Sequence, residues 1–170
     1  MVVIVSGLPG TGKSYFAVRL SQRLGAEYIS SDRTRKAMDA MGKYAFEDKL
    51  NVYEEMAKTA GGYLRKGKTV VVDATFYRQE MRQIFRTLAT LLHQPMCYLE
   101  ITAPEELVKE RLRAPRTDSE ADFAVYRQLK PQYETLPEDH LVLQSANDNI
   151  ERMLSKAVEY IKRVNERVGS

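Results

Sequence analysis

Short apolar runs alternate along the chain with longer stretches in which apolar residues recur every three or four positions. Val2-Val3-Ile4-Val5 and Val70-Val71-Val72 are β-branched and apolar without interruption, as a strand must be when helices cover both faces of its sheet. The pattern predicts strands at Val2–Ser6, 28–30, 69–73, 96–101 and Leu141–Gln144. Helical periodicity is expected at Lys13–Leu24, where Phe16, Leu20 and Leu24 share a face, and then at 33–65, 79–92, 104–112, 123–133 and Ile150–Val168. Met41-Gly42-Lys43-Tyr44 is expected to break the second of these, because glycine there has no apolar partner to hold a continuous helix. Thr102 and Asp148 each stand three residues before a glutamate, the spacing of a helix N-terminal capping box. Strands alternating with helices predict an α/β protein with a five-stranded parallel sheet and helices on both faces. No repeat or low-complexity linker divides the chain, so one domain over residues 1–170 is expected.

Composition changes this picture little. A chain of 170 residues with 44% hydrophobic and 29% charged residues suits one ordinary globular domain. The net charge of +3 is compatible with an anionic substrate without demanding one. No apolar run approaches the roughly 20 residues that span a bilayer, so no membrane partner is expected. The N-terminus is expected to be mature, because a glycine-rich motif with chemistry of its own begins almost at once. Cys97 is the only cysteine and lies in the apolar stretch Met96-Cys97-Tyr98-Leu99. A packing role and a reducing, cytoplasmic location are the economical expectation. His93 and His140 have no histidine or cysteine at ligand spacing, which argues against zinc.

Gly7-Leu8-Pro9-Gly10-Thr11-Gly12-Lys13-Ser14 satisfies the pattern G-x-x-x-x-G-K-[ST] between an apolar run and an amphipathic stretch. Backbone N–H groups can surround phosphate oxygens only where the chain curls tightly, which Gly7, Gly10 and Gly12 permit around Thr11. Lys13 is then expected to reach the β and γ phosphates, and the Ser14 hydroxyl to ligate Mg²⁺. Val70-Val71-Val72-Asp73 ends in a carboxylate suited to the Mg²⁺ shell. No N-K-x-D motif is present, so ATP is preferred over GTP.

A phosphoryl acceptor needs a group to take its proton, placed at the carboxyl end of a strand beside that loop. Asp32, in Ser30-Ser31-Asp32-Arg33-Thr34-Arg35, is the candidate, with Arg35 one helical turn on as an acceptor-gripping cation. The alternative is that Asp32 simply caps the next helix while Arg33 and Arg35 are solvated. Arg111, Arg113 and Arg116 are concentrated around Pro115 at about 111–121, as expected of a lid that brings guanidinium groups onto donor phosphates, or of a solvated basic loop. Arg78 and Arg82 follow Asp73-Ala74-Thr75-Phe76 at helical spacing as candidates for holding an anionic acceptor. Tyr44, Tyr53, Tyr63, Tyr77 and Tyr126 are read as core.

The phosphate loop, the segment 30–35 and Val71-Val72-Asp73-Ala74-Thr75-Phe76 followed by Arg82 together resemble the polynucleotide 5′-hydroxyl kinases, including the kinase modules of bacterial end-healing RNA repair enzymes. The resemblance covers nearly the whole chain. It implies a P-loop three-layer sandwich with strand order 2-3-1-4-5, Lys13 and Ser14 on ATP and Mg²⁺, and Asp32 as general base. It further implies Arg35 on the acceptor phosphate and Arg111 and Arg116 on the donor. The acceptor would be the 5′-hydroxyl end of RNA or DNA. The same motifs also suit gluconate-kinase-like and zeta-toxin-like kinases of small molecules, and a regulatory module that binds ATP without turnover.

Overall fold

Every residue of Val2–Ser6 (β1) is buried, so the strand carrying the phosphate loop has no solvent face. Its side chains sort by alternation: Val2 and Ile4 join one apolar cluster, Val3 and Val5 another. The computed structural model describes residues 1–113, 121–136 and 139–168. Its other strands are Glu27–Ser30 (β2), Val70–Asp73 (β3), Met96–Thr102 (β4) and Leu141–Gln144 (β5). All pair in parallel, in the order β2-β3-β1-β4-β5. The chain leaves β1 toward both edges of the sheet, and this order places the loops after β1, β2 and β3 side by side at the carboxyl end, where α/β proteins bind ligands.

The helices are Lys13–Leu24 (α1), Ser31–Ala37 (α2), Phe46–Arg65 (α3), Gln79–Leu91 (α4), Glu105–Arg111 (α5), Phe123–Leu129 (α6) and Ile150–Val168 (α7). The inward stripes of α3 and α4, from Val52 to Leu64 and from Met81 to Ala89, pack with Val2, Ile4, Val70 and Val72 on one face. Phe16, Ala17 and Leu20 of α1 and Met153, Leu154, Ala157 and Ile161 of α7 cover the other. Cys97 belongs to this second layer, where burial pushes its thiol up to about 12. Among the described residues no helix is long and apolar enough to cross a membrane.

The break expected around Met41-Gly42-Lys43-Tyr44 is present: the region at 33–65 is two helices, and the connection between them passes through left-handed backbone at Asp39 (φ 53°) and Gly42 (φ 77°). Two other readings depart from the structure. The helix expected at 123–133 stops at Leu129 and tightens into a 3₁₀ turn at Lys130–Gln132. Pro131 explains this, since it offers no N–H to an α-helical hydrogen bond. Thr102 does not cap α5: Pro104 stands at that position, without a side-chain cap. At the entry to α7, Asn149 does the organising, donating to the Gln144 carbonyl and accepting from the Ala146 N–H.

Candidate phosphoryl-transfer site

The loop between β1 and α1 is shaped by contacts that only glycine tolerates. Gly7 has φ 150°, and a Cβ there would lie 2.5 Å from the Ile101 carbonyl oxygen of β4. Gly12 is the residue before α1 and is left-handed, φ 89°, the region where side chains are disfavoured. Gly10 packs against Leu112, leaving no space for a side chain. Thr11 is buried, its hydroxyl donating to the Leu8 carbonyl at 2.9 Å. These constraints point the unpaired N–H groups at the start of α1 into the loop, a ready anion site. Lys13 and Ser14 open the helix and line the adjoining cavity.

Asp73 ends β3 at 2% exposure. Its Oδ2 accepts a hydrogen bond from the Tyr28 hydroxyl at 2.6 Å, while its Oδ1 is buried without a partner among the described residues. Burial, reinforced by the Asp73 charge, drives the Tyr28 hydroxyl far above its ordinary value, so it stays a donor. An orphaned buried carboxylate oxygen is costly unless something binds it. The hydrated shell of a Mg²⁺ ion would supply such a partner, so the oxygen donors of Asp73 and Ser14 fit the ion expected here.

The cavity beside the loop encloses about 300 Å³ and is lined by Lys13, Ser14, Asp32, Arg35, Tyr44, Lys49, Tyr77 and Met81, among others. Thus the structure gathers Asp32 and Arg35 on the same cavity as the phosphate-loop lysine. Asp32 is not the cap of α2. Ser30 takes that role, its hydroxyl accepting from the Arg33 N–H at 3.2 Å, and Asp32, in the first turn, lines the cavity. Arg35 is not solvated either: it is 7% exposed, and its Nε and Nη1 have no hydrogen-bond partner among the described residues. Its guanidinium carbon stands 4.8 Å from the centre of the Tyr44 ring.

A second cavity of about 340 Å³ opens on the other side of the loop, lined by Gly10, Gly12, Tyr15, Arg111, Ser145, Asn147 and Ile150. Arg111 Nη1 donates to the Thr11 carbonyl at 3.1 Å and to Ser145 Oγ at 2.9 Å. Partial burial lowers the Arg111 pKa, with the nearby Glu110 opposing this. Arg113 is exposed, and Arg116 lies outside the described residues.

Two expectations are corrected. Arg82 does not line the cavity beside the phosphate loop: it is 1% exposed, and its Nε and Nη1 donate to the carbonyls of Phe76 and Thr135, both at 2.8 Å, while Nη2 donates to that of Glu134. Its donors hold backbone. Arg78 does not line it either, and stands 3.9 Å from Glu80 and 3.7 Å from Glu134. Of the tyrosines, Tyr53, Tyr77 and Tyr126 are buried, but Tyr44 is 44% exposed at the cavity rim. Lys49 was missed. Its signal was present: it continues the inward stripe of α3 four residues before Tyr53, a cation where the pattern calls for an apolar residue.

Residues 2–136 match the family described as AAA domain. Uncharacterized proteins of Mycobacterium bovis and Mycobacterium tuberculosis are 28% identical over 125 residues, 66% of this chain. The chain spans about a quarter of the length of these curated relatives, the match covering 25% of each. Among solved structures, a gluconokinase from Sinorhizobium meliloti superposes with TM-score 0.77 at 16% identity, over 98% of this chain and 94% of the other. The Mycobacterium tuberculosis APS kinase in complex with AMPPNP and APS gives 0.74 at 18%, over 95% and 96%. Chaetomium thermophilum Kti12 in complex with ADP-AlF3 gives 0.74 at 20%, over 96% and 98%. At such identities the structural likeness is one of fold. With the family match running from β1 to the segment after α6, this chain belongs to the AAA-domain family and has the P-loop kinase fold.

Proposed function

We propose that this protein is an ATP- and Mg²⁺-dependent phosphotransferase that moves the γ-phosphate of ATP onto a hydroxyl acceptor, the 5′-hydroxyl end of RNA or DNA being the acceptor its motifs favour. The observation that carries the reading is the shared cavity: Lys13 and Ser14 from the donor loop, and Asp32 and Arg35 from α2, line one cavity. Lys13 and the ion held by Ser14 and Asp73 would neutralise charge on the transferring group. Asp32 would accept the proton of the attacking hydroxyl as the O–P bond forms and the bond to ADP breaks. Arg35 would orient the acceptor. The cavity bordered by Tyr15, Arg111 and residues 145–147 would take the nucleoside of ATP, with Arg113 and Arg116 assigned to the donor as lid arginines.

A small-molecule acceptor is the second reading. The volume of about 300 Å³ suits one, and solved structures with this fold include a gluconokinase and an APS kinase. Labelled ATP offered with 5′-hydroxyl oligonucleotides on one side and sugars or sugar acids on the other separates the two. Transfer to the oligonucleotide is expected, and Asp32→Asn should slow it about 10²–10⁴-fold without disturbing ATP-analogue binding. Full activity of that variant would remove Asp32 from the mechanism. ATP binding with no turnover on any acceptor would instead mark a nucleotide-binding regulatory module.

A further inference from the structure

The inward stripe of α3 runs through Val52, Tyr53, Met56, Ala60 and Leu64, all buried. Lys49 extends it by one turn and carries its ammonium into the wall of the acceptor cavity. There Nζ donates to the Tyr77 hydroxyl at 3.2 Å and stands 5.1 Å from the Tyr77 ring centre. Among the described residues, neither Lys49 nor Arg35 has a carboxylate within 4.0 Å. A long cation usually keeps its charged end in water. Here one ends on a neutral phenol, and a buried guanidinium lining the same cavity leaves two nitrogens without acceptors among the described residues.

Charge balance gives the vacant interactions a chemistry. Among the described residues, the charged groups lining the cavity are Lys13, Arg35 and Lys49 against Asp32. If Lys13 serves the donor phosphates and Asp32 must be ionised to accept a proton, two cations remain for the acceptor. A neutral alcohol would leave the buried Arg35 donors unsatisfied, which costs binding, whereas a phosphate offers several anionic oxygens to a guanidinium and an ammonium together. We propose that Lys49 is a second anion-holding group of the acceptor cavity, acting with Arg35, and that the cavity selects hydroxyl compounds already carrying a phosphate. This rests on the assignment of that cavity to the acceptor. Two sources share the chemistry: the 3′-phosphate beside a nucleotide's 5′-hydroxyl, and a sugar phosphate.

Calorimetric titration of the Mg²⁺- and AMPPNP-loaded protein tests it, with adenosine 3′-monophosphate against adenosine and glucose 6-phosphate against glucose. The phosphorylated member of at least one pair should bind about tenfold or more tightly than its neutral partner, and the pair that responds identifies the source. Lys49→Met should erase about tenfold of that preference while leaving affinity for the neutral partner and for AMPPNP unchanged, and Lys49→Arg should keep most of it. With a competent acceptor, Lys49→Met should raise KM more than it lowers kcat. Equal binding of both members of each pair, no binding of either phosphorylated compound, or a preference that survives Lys49→Met would overturn the proposal. Selective, Lys49-dependent binding without any turnover would leave it standing and defeat the phosphotransferase reading instead.

Discussion

Arg35 and Arg82 occupy comparable places: each lies in a helix that follows a strand at the carboxyl end of the sheet, Arg35 in the last turn of the short α2 after β2 and Arg82 near the start of α4 after β3. Both are nearly out of water, at 7% and 1% exposure. They differ in what holds them. Arg82 spends its donors on three backbone carbonyls and so ties α4 to the turn after β3 and to residues 134 and 135. That turn needs holding, because Phe76 has φ 51° with its side chain fully buried, a conformation unfavourable for a bulky residue. Its N–H donates to the Tyr53 hydroxyl at 2.9 Å, and its carbonyl accepts from Arg82. Arg35, by contrast, keeps Nε and Nη1 unpartnered on a cavity wall. A buried cation whose donors are satisfied by the fold serves the fold. One whose donors are left over is the candidate to meet a ligand.

Removing each guanidinium should break this pairing in opposite ways. Arg82→Met should cost the largest amount, about 3–5 kcal/mol in urea-induced unfolding, since carbonyls of Phe76, Glu134 and Thr135 lose charged donors and the strained turn loses its tie. A loss below about 1 kcal/mol would mean that water replaces the guanidinium and that the two arginines differ less than their contacts imply. Arg35→Met should leave stability within about 1 kcal/mol of the parent, because few interactions made within the fold are lost. Its effect should fall on the acceptor, with KM raised about ten- to a hundredfold and AMPPNP affinity unchanged. An unfolded Arg35→Met protein would place Arg35 in the same class as Arg82. Tyr53→Phe sharpens the contrast at smaller scale: it removes the acceptor of the Phe76 N–H and should cost about 1–2 kcal/mol by the same unfolding measurement. No change would show that Arg82 alone maintains the turn.

The phosphate loop was legible because it is local. Gly7 to Ser14 are contiguous, and their work is done by backbone geometry that neighbours in the chain dictate: a tight turn after a buried strand, glycine where φ is positive, a helix to receive it. The strands were legible for a related reason. β-branched runs buried on both faces have few alternatives, and the structure moves their ends by only a residue. Helix ends were less so, since Ser30 rather than Asp32 captures an N–H of the first turn of α2, that of Arg33, and both are acceptable caps.

The cavity beside the loop came apart differently. Its walls are drawn from α2, the start of α3, the turn after β3 and α6, and nothing in the immediate neighbourhood of Arg35, Lys49 or Arg82 says which carbonyl or cavity its donors will meet. Sequence alone determined that a nucleotide phosphate loop sits on a parallel α/β sheet, because those features arise from interactions between near neighbours. Tertiary structure decided which arginine kept unpartnered donors on a cavity and which became part of the frame, because a side chain's hydrogen-bond partners are supplied by segments distant in the chain. Residues 134 and 135 claim Arg82, and no comparable segment reaches Arg35 among the described residues.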